Sequence, residues 1–276
     1  MKSDIRMANE HDIPDLCAVW QSCFPDPGEY IRLFYRENFG RIGVLVYTVD
    51  GKPVSMVNLM DAAFAEGLRE DPVKYVYAVG TLPEYRDKGL MRSLLLSAAH
   101  TAEEKGYGLF LKPVPALIEY YSYLGFTEDS HFKLFEAAPG KNREENIYFS
   151  PISAEEYNRL RNRAFNGRPY VKWSDSHLRW CVKENGFCGG KTVAFTLDGG
   201  TRFLMACPSE GVLRIIETDL NPEQLRRISS ALCGLFSVSR ILAYLPEDAS
   251  CKGSSDVSSL VFNAPLRRTY ANLLLI

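Results

Sequence analysis

The sequence predicts an α/β (α+β) chain made of two similar halves. Three observations predict it. Strand and helix patterns alternate along the whole length, the pattern breaks into Pro, Gly and charge over residues 137–145, and the order of elements before the break returns after it. The chain has 276 residues, 46% hydrophobic and 24% charged, with a formal net charge of -2. This is a globular composition with room for two domains, expected at 1–139 and 140–276. No basic excess is present to hold a phosphate backbone, so nucleic acid is not an expected partner. The polar, charged opening from Met1 to Asp12 does not resemble a signal peptide, and no stretch approaches the roughly 18 apolar residues of a membrane span. A cytoplasmic protein without membrane contact is expected.

In the first half, residues 4–7 read as a strand. Asn9 then caps a helix whose Ile13, Leu16, Cys17, Trp20 and Phe24 recur on one face. Residues 28–38 read as a second helix, with Ile31, Phe34 and Tyr35 inward. Residues 43–49 and 53–59 form a hairpin around Asp50-Gly51. Residues 62–72 are acidic and read as a loop, and 75–80 as a strand. Residues 90–105 carry Leu90, Leu94, Leu95, Ala98 and Ala102 on one helical stripe, stopped by Gly106. A strand over 107–114, a short helix over 117–124 ended by Gly125, and a strand over 132–136 complete the half.

In the second half, Ser153 and Glu156 open a helix as a capping box. Glu184-Asn185 then lead into a strand, Leu197-Asp198-Gly199 and a return strand, as Glu37-Asn38 and Val49-Asp50-Gly51 do earlier. Residues 212–218 parallel 75–81, Asn221-Pro222 cap a helix, and 241–246 parallel 109–115. An internal duplication follows from this order. The apolar ending, residues 273–276, reads as a buried terminal strand.

The chemically informative stretch is Ala78-Val79-Gly80-Thr81-Leu82-Pro83-Glu84-Tyr85-Arg86-Asp87-Lys88-Gly89-Leu90-Met91-Arg92. A strand ends, a turn with Arg, Lys and Gly follows, and a long helix starts. The first turn of a helix offers free N–H groups and the positive end of its dipole. Gly89 lets the main chain approach an anion, and Arg86, Lys88 and Arg92 add positive charge. The pattern is neither a Walker loop nor Gly-x-Gly-x-x-Gly, so the residues point to an anion without naming it.

This segment resembles motif A of the GNAT superfamily of N-acetyltransferases, Arg/Gln-x-x-Gly-x-Gly/Ala after a strand ending near Pro-x-Tyr/Phe-Arg. Pro83, Tyr85, Arg86 and Gly89 match, and Met91 departs from the final Gly or Ala. Gly-Leu-Met-Arg is similar to versions found in Eis-type relatives. Tyr120-Tyr121-Ser122-Tyr123-Leu124-Gly125-Phe126 resembles motif B, Leu-Tyr-Glu-Lys-Leu-Gly-Phe. The resemblance implies two GNAT-like domains. Each is a mixed, mostly antiparallel twisted sheet flanked by helices, with a splayed parallel strand pair in the first. It implies acetyl-CoA as co-substrate, with Val79, Gly80, Thr81, Arg86, Asp87, Lys88, Gly89, Leu90, Met91 and Arg92 holding it, and no metal. Backbone groups of Val79 and Thr81 would serve the pantetheine arm, and an N–H near Val79 or Gly80 would polarise the thioester carbonyl. Tyr121 would protonate the departing thiolate. Val114 stands where the family often has Asn, and Phe126 lacks the hydroxyl that some Eis-type relatives use.

The reaction so implied is direct acetyl transfer to a primary amine of a small molecule or peptide. An alkyl ammonium has a pKa near 10.4, so a proton must leave, and Asp61, Glu66, Glu70 and Asp71 are the acidic candidates. The alternative is an acyl-CoA-binding regulatory protein without catalysis, and a homodimer is left open. The second half lacks the basic Gly turn and has Asp219 in its place, so it is expected to be a degenerate GNAT-like domain without cofactor. His11, His100, His131 and His177 have no partners at ligand spacing, and Cys17, Cys23, Cys181, Cys188, Cys207, Cys233 and Cys251 form no Cys-x-x-Cys pair. Reduced core thiols are expected.

Overall fold

The computed structural model describes residues 2–140, 147–250 and 254–273. It forms two compact units: 1–63, 71–128 and 260–265 in the first, and 64–70, 129–259 and 266–276 in the second. The division after Glu128 falls ahead of the 139/140 boundary expected from sequence.

The first unit opens with strand β1 (Ser3–Met7) and helices α1 (Ile13–Cys23) and α2 (Gly28–Asn38). Strand β2 (Gly43–Val49) lies antiparallel to β1 and to β3 (Lys52–Glu66). Asp50 and Gly51 are both left-handed, at φ 48° and 84°, as a two-residue hairpin turn requires. Strand β4 (Arg69–Thr81) follows β3 in the sheet. Helix α3 (Leu90–Lys105), strand β5 (Gly108–Leu111) and helix α4 (Ile118–Tyr123) complete the unit, with Leu260–Phe262 antiparallel to β5. Alternation on β2 buries Val44, Val46 and Thr48. Leu16, Val19 and Trp20 of α1 and Ile31, Phe34 and Tyr35 of α2 supply the helical side of this core.

The second unit contains most of β6 (Thr127–Ala137), then β7 (Ser150–Pro151), α5 (Ala154–Phe165), β8 (Tyr170–Trp173), α6 (Asp175–Phe187), β9 (Lys191–Leu197), β10 (Gly200–Ser209), β11 (Val212–Thr218), α7 (Pro222–Phe236), β12 (Arg240–Pro246) and the start of β13 (Ser255–Phe262). Its strands run in the order β6-β12-β11-β10-β9-β7. Phe135, Leu204, Leu213, Ile215, Leu225, Ile228, Leu232, Ile241 and Ala243 form one apolar cluster. Asp198 and Gly199 make the same left-handed pair as Asp50 and Gly51, at φ 52° and 71°.

Several expectations change. Residues 62–72 are not a loop: β3 and β4 extend through them, and the chain reverses at Gly67, φ 60°. Residues 66–70, at the tip of this hairpin, are all exposed, which is why charged side chains gather there. The strand expected over 107–114 stops at Leu111, because Pro113 and Pro115 cannot donate to a ladder. The strand expected over 132–136 is longer and runs from Thr127 to Ala137. The sequence reading missed β8, α6 and β13. In Trp173-Ser174-Asp175, Ser174 accepts from the His177 N–H and starts α6, a cap signal available in the sequence. The expected terminal strand falls mostly outside the described residues, although Leu273 is buried.

Candidate active site

The turn between β4 and α3 is held from behind. Gly80 lies against α1, where a Cβ would come within 3.0 Å of Cys23 Sγ. Arg86 Nε donates to the Thr81 carbonyl at 3.1 Å, and its terminal nitrogen donates to the Ser22 carbonyl at 3.2 Å. The guanidinium thus ties the turn to the end of α1. Lys88 Nζ donates to the Glu84 carbonyl at 2.8 Å and lies over the Tyr85 ring. Asp87 and Gly89 are left-handed, at φ 60° and 73°. No atom outside its immediate neighbours lies within 4 Å of where a Gly89 Cβ would stand, so the main chain is open there. The first bond into the helix runs from Ser93 N–H to the Gly89 carbonyl at 3.0 Å. The amides of Leu90, Met91 and Arg92 therefore precede the helical ladder and face outward as donors. Arg92 adds its charge over the ring of exposed Tyr123, 5.8 Å from the centroid.

Upstream, β4 is broken on purpose. Among the described residues it pairs with β5 in parallel from Val73 to Tyr75, opposite Gly108 to Phe110, and the pairing ends there. Ala78 then adopts φ 46°, a left-handed conformation that disfavours any side chain by roughly 1–2 kcal/mol. Asn58 of β3, fully buried, supports it: Nδ2 donates to the carbonyls of Tyr77 and Ala78 at 3.3 and 3.4 Å. Ser55 Oγ donates to the Gly80 carbonyl at 2.9 Å. Two successive carbonyls thus point toward β3, which a regular strand does not permit. In a trans peptide the N–H points opposite the C=O, so the amides of Ala78 and Val79 both turn away from β3, to the side where β5 has left the strand. Tyr35 holds Asn58 in turn, its hydroxyl donating to Asn58 Oδ1 at 3.5 Å.

Tyr121 sits on α4, one turn before the left-handed Gly125, and is buried to 7% exposure. Phe126 packs edge-on against its ring at 5.8 Å. Among the described residues its hydroxyl has no hydrogen-bond partner. Burial, and secondarily Tyr120, push the phenol up to about 12, so it keeps its proton at neutral pH.

The profile of an acetyltransferase (GNAT) domain matches residues 4–128. Residues 4–128 form a GNAT domain. Solved structures agree on the fold of the whole chain. A GCN5-related N-acetyltransferase from Kribbella flavida is 18% identical, with a TM-score of 0.70 over 94% of this chain and 71% of its own. A GCN5-related N-acetyltransferase from Anabaena variabilis is 13% identical, at 0.74 over 95% and 73%. Eis1 from Mycobacterium abscessus is 14% identical, at 0.66 over 94% and 73%. No curated protein matches the sequence.

Within the GNAT domain, the residues picked out from sequence fall on two features: Val79, Gly80 and Thr81 on the end of β4, and Arg86 through Arg92 on the turn and first helical turn. The acidic candidates scatter. Asp61 on β3 pairs with Lys74 on β4. Glu66 and Glu70 belong to the second unit, where Glu70 pairs with Lys172 and Glu66 lies 3.9 Å from Arg267. Cations thus already engage Asp61 and Glu70. Asp71 opens the first unit's part of β4. Sequence reasoning missed Ser55, Asn58 and Ala78. Their signal was present: two polar residues inside the apolar strand 53–59 must find buried partners.

Among the described residues, no helix is long and apolar enough to cross a membrane. His177 is buried and stacked on Trp173 at 3.8 Å, and burial depresses its pKa to about 3, so it is a neutral core residue.

Proposed function

We propose that the GNAT domain binds acetyl-CoA and transfers its acetyl group directly to a primary amine. The observation that carries this is the pair of Ala78 and Val79 amides, turned together to the unpaired side of β4 just ahead of an open helix N-terminus. The residues fit the co-substrate. The amides of Leu90, Met91 and Arg92, with Lys88 and Arg92 beside them, suit a diphosphate. The unpaired edge of β4 from Val76 to Thr81 suits the amide groups of a pantetheine arm, which complete the hydrogen bonding that β5 leaves open.

In this reading, Ala78 and Val79 N–H donate to the carbonyl oxygen as it gains charge, and removing such a donor typically costs about 2.7–4 kcal/mol of barrier. Asn58 and Ser55 keep the donors aimed. Tyr121 gives its proton to the departing sulfur. Its own shift to about 12 makes it a poor acid for a solvated thiolate. A thiolate leaving into the same buried surroundings is raised in the same direction, which narrows the gap. Arg86 acts on the turn rather than on the phosphates. The acceptor must arrive with its amine neutral, through solvent or through a residue of the cleft.

We read the second unit as a degenerate GNAT-like domain that takes no cofactor. Acetyl-CoA offered with a panel of polyamines, aminoglycosides, amino acids and lysine peptides tests the reading by release of free CoA thiol. Turnover with at least one amine class, lost in Tyr121→Phe while acetyl-CoA still binds, is expected. Binding without turnover of any amine, in wild type as in the variant, selects the non-catalytic acyl-CoA-binding alternative.

A further inference from the structure

Helix α6 ends at Cys188-Gly189-Gly190, and this ending brings two cysteines together. Gly189 N–H donates to the Gly186 carbonyl at 3.0 Å and Gly190 N–H to the Asn185 carbonyl at 2.7 Å, so the chain doubles back tightly. Gly190 has no room for a side chain: a Cβ would stand 2.2 Å from Asn185 Oδ1 and 2.6 Å from the Ala206 carbonyl. β9 then starts at Lys191, opposite Ala206 of β10. Cys207, the next residue along β10, is thereby set against the helix ending. Its Sγ donates to the Cys188 carbonyl at 3.0 Å, which sets the two cysteines side by side. A helix terminus and a central strand fix the two positions, so their approach does not depend on a wandering loop. Cys188 is exposed, Cys207 half-buried, and both line a cleft of about 340 Å³ floored by Met205, Ile216 and Leu273.

We propose that Cys188 and Cys207 are an oxidisable pair that closes to an intramolecular disulfide when the protein meets a peroxide. The exposed Cys188 attacks first: its thiolate takes one peroxide oxygen, the O–O bond breaks, and a sulfenic acid and water result. The Cys207 thiol then attacks the Cys188 sulfur, the S–O bond breaks, and a second water leaves with the Cys207 proton. In sum, two thiols and one peroxide give one disulfide and two waters. The order of attack follows from exposure, and from the Cys207 thiol, which burial and then Cys188 push up to about 11. The bridge lies in the wall of the cleft and ties the end of α6 to β10.

The test treats the full-length protein with one equivalent of hydrogen peroxide, blocks remaining thiols under denaturing conditions, and maps the peptides by mass. The expected result is a loss of 2 Da confined to a linked pair of peptides carrying Cys188 and Cys207. Cys207→Ser should leave the sulfenic acid trapped on Cys188 as its dimedone adduct, whereas Cys188→Ser should give no adduct at Cys207. Both serine variants are close in size and test chemistry rather than folding. Recovery of both thiols in the blocked form, a bridge involving Cys181, or the dimedone adduct on Cys207 would each overturn the proposal.

Discussion

The two units share an order of elements and differ at two points. Each presents a helix pair, a hairpin with an Asp-Gly turn, a strand with an irregular step, a helix and a parallel strand. In the first unit the step is Ala78 and its surroundings leave two amides open. In the second, the β10–β11 register slips between Met205 and Ala206 and leaves Ile216 unpaired. There the surroundings are filled. Asn272 donates to the Ile216 carbonyl, and the next residue, Glu217, is fully buried and accepts from Tyr157 at 2.9 Å and Arg161 at 2.9 and 3.1 Å. The helix starts differ in the same way. At α7, Asn221 Oδ1 accepts from Gln224 N–H at 2.9 Å, Gln224 returns the bond at 3.1 Å, and Pro222 removes a donor. Asp219 accepts from the Phe203 amide at 3.1 Å and pairs with Arg202. Side chains do in the second unit what a diphosphate is proposed to do in the first. A fold of this type supplies the donors, and local residues decide whether a ligand or the protein itself uses them.

This contrast sets where substitutions change function and where they change stability. The largest effect is expected for Tyr121→Phe: kcat falls about 10²–10⁴-fold with little change in acetyl-CoA affinity, read by steady-state kinetics and titration calorimetry. Asn58→Ala frees the Ala78 and Val79 amides to drift and is expected to lower kcat by about 10²-fold or more. The matched change in the second unit, Glu217→Gln, leaves Arg161 charged and buried without its counter-ion. It should cost about 3 kcal/mol in urea unfolding and leave kcat of the folded protein unchanged. A loss of turnover there would mean that the second unit takes part in the chemistry.

Gly89→Ala strains the left-handed turn by roughly 1 kcal/mol and should weaken acetyl-CoA about 5–10-fold. Asn221→Ala, at the matching helix start, should lower stability by about 1 kcal/mol and leave acetyl-CoA affinity alone. Arg86 gives a smaller, sharper comparison. If it clamps carbonyls, Arg86→Gln retains one donor for the Thr81 carbonyl and binds within a few-fold of wild type, while Arg86→Lys binds more weakly despite its charge. If it serves the phosphates, the order reverses. The pH profile is the smallest effect. Tyr121 stays protonated until pH nears 12, so turnover should rise with pH as the acceptor amine deprotonates, without a falling limb below about pH 10.

Periodicity and turn chemistry made much of this legible. The Leu90–Ala102 stripe, Gly106, Asp50-Gly51, Asp198-Gly199 and Asn221-Pro222 all read directly from local rules, and each stands where those rules put it. The turn at Arg86–Gly89 was also visible, because a basic Gly turn before a helix is a local feature. The irregular step at Ala78 was not, because it depends on Asn58 and Ser55 from a neighbouring strand. The acidic stretch 62–72 misled for a related reason: exposed charged residues at the tip of a hairpin look like a loop when the partner strand is out of view. For Arg86, residue type alone did not reveal its partners in the fold, the carbonyls of Thr81 and Ser22.

The measurement that bears most directly on this account is hydrogen exchange with and without acetyl-CoA. Protection of the amides from Ala78 to Ser93 is expected, with no change from Thr218 to Leu225. Protection at the α7 start instead, or none at either helix, would contradict it.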